Sequence, residues 1–189
     1  MMTLNPVVTA TRNWLSQFII AHNICPFAQH VYENEAVRYQ VVVSAKLEDC
    51  LEALITECRY LDAQPGCETT LLIMPEAGVD FDDFLDLLAI AEQLLHDQGY
   101  EGVYQLASFH PDYCFAGEPV DDPANYTNRS PYPMLHIIRE ASLEQALRHY
   151  ENPEQIPERN IELTRQLGLQ VLQAQLLAFR NNSQNPQSS

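Results

Sequence analysis

Apolar residues near the start of the chain recur at helical spacing, at Trp14, Leu15, Phe18 and Ile19, behind an Asn5-Pro6 pair that offers an N-cap and a first-turn proline. The pattern predicts a helix to about His22, closed by Asn23. Cys25-Pro26 reads as a second start, because proline pushes its predecessor out of the helical region and is itself preformed for the first helical position. Cys25 is then the expected N-cap of a short helix through about Tyr32. The next segment, Val37 to Val43, alternates and then finishes as a continuous apolar run, the signature of a strand.

Ser44 can cap a helix whose buried face is Leu47, Leu51, Leu54, Ile55 and Cys58. After Pro65-Gly66, "TTLLIMP" is a short apolar strand of the kind covered on both faces. A helix from about Asp80 carries acids in its first turn and turns Phe84, Leu85, Leu88 and Leu95 inward, with Gly99 as its stop. Val103 to Phe109 and Met134 to Arg139 are the third and fourth strands. Ser142-x-x-Gln145 and Asn152-x-x-Gln155 resemble capping boxes. Two helices follow, the last beginning around Pro157 and continuing past Gly168 to Phe179. The order predicts an α/β layered fold: a mixed four-stranded sheet, three parallel strands plus one antiparallel, flanked by helices in a single domain over residues 1–180. Residues 181–189, polar and uncharged, read as a disordered tail.

Composition narrows the class. Ten basic residues against 26 acidic give a net charge of −16, a field that repels phosphate backbones and anionic membrane surfaces. Neither nucleic acid nor membrane is an expected partner. Lys46 is the only lysine. Five cysteines without a CxxC pair argue against a disulfide framework or a zinc ribbon, and the apolar N-terminal stretch lacks a cleavage site, so a cytoplasmic location is expected.

One segment resists periodicity: "FHPDYCFAGEPVDDPANYTNRSPYP", from Phe109 to Pro133. Structureless loops of this length inside a domain are commonly disordered or functional, and the aromatic residues and prolines here favour order. It leaves the third strand at the carboxyl edge of the sheet, where α/β proteins gather ligands. His110 and Asp112 can act as a base and its orienting carboxylate, and Cys114 continues the every-second-residue spacing. Asn128-Arg129-Ser130 offers amide, guanidinium and hydroxyl groups to a carboxylate or phosphate, although Arg129 can equally clasp Asp121 or Asp122. Arg38 is a further binding candidate, with a strand-end ion pair as the plainer alternative. Cys25, at a helix start, has the setting of a reactive thiolate or of a small apolar cap. His110, Asp112 and His136 are an alternative metal set, on a weak signal.

Read in order, "NICPFA" (23–28), "ETTLLI" (68–73), "DFLDLL" (83–88), "ASFHPDYCFAG" (107–117) and "NYTNRSPYPMLHIIREAS" (125–142) resemble domain-of-unknown-function family 1415, from about Thr9 to Gly168. The resemblance implies a bacterial protein whose pattern includes Cys25, His110, Asp112, Asn128, Arg129, His136 and Arg139. It implies no reaction, cofactor or partner.

Three functions fit these residues. The first is an enzyme acting on a small anionic or polar molecule, with Cys25 as nucleophile, His110 as base or acid, Asp112 orienting it, Arg129 and Asn128 holding charge, and no cofactor. The second is a metal-dependent hydrolase using His110, Asp112 and His136. The third is a non-catalytic ligand-binding or scaffold protein. If Leu172, Leu176 and Phe179 form an exposed stripe, self-association into a homo-oligomer follows.

Overall fold

The structure, a computed structural model, describes residues 5–182; of the tail expected over residues 181–189, 181 and 182 belong to the last helix and the rest lies outside the described residues. Helix α1 (Pro6–Trp14) starts as anticipated, with Asn5 Oδ1 accepting the Val7 N–H, and widens into a π-helical segment, Leu15–Ile20. Then come α2 (Ala28–Glu33), β1 (Val37–Val41), α3 (Leu47–Ala63), β2 (Thr69–Ile73), α4 (Phe81–Asp97), β3 (Tyr104–Phe109), β4 (Met134–Arg139), α5 (Glu140–Arg148), α6 (Ile156–Leu167) and α7 (Leu169–Asn182).

The four strands form one mixed sheet in the order β1-β2-β4-β3. β1 pairs parallel with β2, while β4 pairs antiparallel with both β2 and β3. The expectation of three parallel strands is corrected here. β3 runs in the direction of β1 and β2, but β4 is inserted between β2 and β3, so only one pair is parallel. The reason is apolar content. β2 is buried along its whole length, and Met134, Leu135 and Ile137 of β4 are at most 1 % exposed. These two strands therefore take the centre, where both faces are covered.

Alternation along the strands divides the core in two. Leu72, Leu135 and Ile137 meet Leu54, Cys58, Phe84 and Ala91 of α3 and α4 on one face. Leu71, Ile73 and Met134 meet Trp14, Phe18, Leu172 and Phe179 on the other. Leu172 and Phe179 are thus buried in their own chain rather than displayed as a stripe.

Several local expectations change. The short helix begins at Ala28 with Phe27 in the N-cap position, so Cys25 lies in the turn before it and does not cap it. β1 ends at Val41, and Val43 is exposed. In α4, Leu85 faces outward and Leu87 and Ala91 face inward, three and seven residues on from Phe84 and on its side of the helix. Neither capping box forms: α5 already begins at Glu140, Ser142 donates to Glu68, and Asn152 caps nothing with its side chain. The final helix is two helices, because Gly168 adopts φ 82° and ψ 152°, which no continuing helix allows.

Candidate functional site

Val41, Ile73, Met134 and Phe109 are level in the sheet register, so the chain from His110 to Pro133 leaves and returns at one edge. It is an ordered cap. Arg129, 8 % exposed, donates Nε–H to the Tyr113 carbonyl at 3.0 Å and Nη2–H to the Val120 carbonyl at 2.8 Å, with its guanidinium over the Tyr126 ring. It clasps the loop through carbonyls, not through Asp121 or Asp122; Asp122 instead takes both arms of Arg165 on α6. Trp14 Nε1–H donates to the Arg129 carbonyl at 3.0 Å, which anchors the loop to α1. Ser130 is fully buried and donates to the Tyr132 carbonyl.

His110 is also fully buried, tilted against the rings of Phe81 and Phe84. Its Nδ1 accepts the Asp112 backbone N–H at 3.0 Å, so Nε2 carries the proton and donates it to the Gly78 carbonyl at 2.9 Å. Burial holds this histidine below its ordinary value, against the pull of the Gly78 bond. Asp112 contributes its amide, while its residue is exposed and no carboxylate bond to the ring is found among the described residues.

His136 belongs to the opposite face of the sheet, tilted against Phe109 with Nε2 2.7 Å from Thr69 Oγ1. Burial pushes it down to about 4. The structure does not bring His110, Asp112 and His136 together, and no group of three His, Cys, Asp or Glu side chains suited to a metal occurs among the described residues. Arg38 lies near the start of β1, away from the loop, in a two-armed pair with Glu57 of α3 at 2.6 and 3.0 Å and over the Tyr60 ring.

Cys25 does reach the loop. A cleft of about 530 Å³ is walled by Ile19, Ile24 and Cys25, by Phe109, Phe115 and Asn128 of the loop and its strand, and by Ile156 and Asn160 of α6; Glu118 also lines it. Burial pushes the Cys25 thiol up, and the backbone N–H groups of Phe27 and Ala28 pull the other way. The thiol is the resting form. Cys25 and His110 make no hydrogen bond, and among the described residues no histidine lines the cleft.

The α6 wall is not among the candidates that the sequence pattern singles out. Asn160, 6 % exposed, donates Nδ2–H to the Ile24 carbonyl at 2.7 Å, and Arg159 donates to the Asn23 carbonyl, so both hold the turn that presents Cys25. A signal existed: Ile156, Asn160, Thr164 and Leu167 share one helical face, and two polar residues in an apolar stripe need buried partners.

Most of the polar side chains in the cleft are already engaged. Asn128 Nδ2–H donates to the Ser108 carbonyl while its Oδ1 accepts from Thr127, and Asn160 Oδ1 accepts from Arg159. That leaves a thiol and the Glu118 carboxylate among aliphatic and aromatic walls.

These features define an α/β protein with a mixed sheet and a loop-capped cleft at one sheet edge. The family described as Protein of unknown function (DUF1415) matches residues 6–174, and the chain belongs to it. No curated protein and no solved structure matches the chain. No helix among the described residues is long and apolar enough to cross a membrane.

Proposed function

We propose that this protein binds a small, largely apolar molecule in the cleft beneath the loop, with the Cys25 thiol in contact with it. The observation that carries this reading is that one cleft of about 530 Å³ collects Cys25, loop residues and α6, with its amides already paired inside the protein. The volume falls within the usual range of small-molecule sites, and aliphatic and aromatic walls suit an apolar body. Arg129 spends its donors on Tyr113 and Val120 and does not line the cleft, so an anion grip by Asn128-Arg129-Ser130 draws no support from the geometry.

A second reading makes Cys25 the nucleophile of an enzyme. The Phe27 and Ala28 amides favour it, since they would stabilise a thiolate or an oxyanion formed beside it. Burial of the thiol and the lack of a histidine in the cleft favour binding instead.

Alkylation of the native protein with iodoacetamide across pH, read cysteine by cysteine, separates the two. The binding reading predicts that Cys25 labels faster than the buried Cys50 and Cys58, with an apparent pKa above that of a free cysteine. Labelling with an apparent pKa below the free value makes Cys25 the nucleophile. A Cys25 that reacts only after unfolding sinks both readings.

A further inference from the structure

We infer that the ligand of this cleft carries a cationic head, an amine or similar group, on its apolar body. The inference rests on the cleft reading above and adds the sign of the charge. Among the described residues, Glu118 is the one charged side chain that lines the cleft. It sits at the rim, with its side chain 42 % exposed and 3.5 Å from Arg165 Nη2.

Arg165 is shared, and its shorter contacts go to Asp122. It holds Asp122 with both arms, Nε at 3.2 Å and Nη2 at 2.8 Å. One guanidinium therefore serves two carboxylates, and the group Glu118, Asp122 and Arg165 carries a net charge of −1 (two acids and one base) beside the opening. The longer contact leaves Glu118 as the carboxylate with acceptor capacity to spare, since a carboxylate offers about four lone-pair sites.

The walls favour the same sign. Phe109 and Phe115 present aromatic rings, whose faces attract cations and not anions. Among the described residues, no arginine, lysine or histidine lines the cleft to receive an anionic group. The net charge of −16 adds a general field of the same sense, which draws cations toward the protein and raises their local concentration at a concave site. An apolar tail would lie against Ile19, Ile24 and Ile156, and the ammonium group would exchange water at the rim for Glu118.

The test is a set of three probes with one shape and three charges: 4-phenylbutylamine, 4-phenylbutan-1-ol and 4-phenylbutyrate. Affinity is read by the fluorescence of Trp14, the lone tryptophan, whose ring lies 5.2 Å from that of Phe109 in the cleft wall. Site occupancy is read independently as protection of Cys25 from iodoacetamide. Work near physiological salt shortens the screening length to about 8 Å and suppresses the general field, leaving the local contribution. The amine is expected to bind the native protein about tenfold more tightly than the alcohol, and the acid more weakly than either, with the amine's advantage lost in Glu118→Gln.

If the alcohol binds as tightly as the amine, or if the preference survives Glu118→Gln, the cationic head is overturned while the cleft reading stands. If none of the three protects Cys25 at millimolar concentration, the cleft reading falls and the inference falls with it.

Discussion

His110 is the residue whose chemistry the fold uses most fully, and it uses it to build. Both ring nitrogens are spent on backbone partners, Gly78 in the loop after β2 and Asp112 in the loop after β3, so one neutral imidazole ties two loops at the sheet edge. His110→Ala leaves that carbonyl and that amide unpaired and opens a space against Phe81 and Phe84. A loss of about 3 kcal/mol is expected in urea unfolding; a loss below about 1 kcal/mol would mean that the loop is held without it. His136 sets an acid limit. Burial lowers it from the ordinary 6.5 of the unfolded chain to about 4 in the fold, so between those values the unfolded state binds more protons. Its contribution is complete above pH 6.5 and is lost as the pH falls toward 4, by about 3 kcal/mol in all. Stability measured from pH 7 to pH 4 should fall less steeply in His136→Gln than in the native protein, and identical slopes would remove His136 as a cause.

Among the elements, α6 and α7 turn a local backbone choice into a wall of the cleft. Gly168 separates them with φ 82° and ψ 152°, a conformation nearly confined to glycine. This bend lets α7 bury Leu172 and Phe179 against the sheet while α6 turns Asn160 toward Ile24 and the Cys25 turn. Gly168→Ala adds a Cβ that meets nothing within 4 Å, so its cost is backbone strain alone. Thermal unfolding should report a destabilisation of about 1–3 kcal/mol, and an unchanged midpoint would show that the helix junction can relax. The strands carry a parallel lesson. β1, partly buried throughout, lies at an edge, whereas β2 and β4, apolar on both faces, lie at the centre.

For the whole molecule, charge is the dominant unspent quantity. With 26 acids, ten bases and few ion pairs among the described residues, like charges crowd the folded surface more closely than they do in the extended chain. Added sodium chloride should therefore raise the unfolding midpoint, most steeply between about 0.01 and 0.15 M, where the screening length falls from about 30 to about 8 Å. A flat or falling midpoint over that range would show that attractive pairs outweigh the repulsion.

The sequence by itself determined most of the elements and the sheet edge that the aperiodic loop caps. Helix starts such as Asn5-Pro6, strand runs such as "TTLLI" and the aperiodic stretch after Phe109 are local signals, carried by a few neighbouring residues whose backbone preferences need no distant partner. Even the place of β4 left a trace, since "MLHII" is apolar enough for a central strand. The tertiary structure alone decided which candidate side chains are spent and which remain open. His110 meets Gly78, Arg129 meets Val120, Trp14 meets the Arg129 carbonyl and Asn160 meets Ile24, and each such pairing removes a group from the surface. A buried polar group must find a partner wherever the chain supplies one. Its availability for chemistry is therefore a property of the folded neighbourhood, which brought Cys25 and Glu118 to one cleft and left Arg38 at the far end of β1.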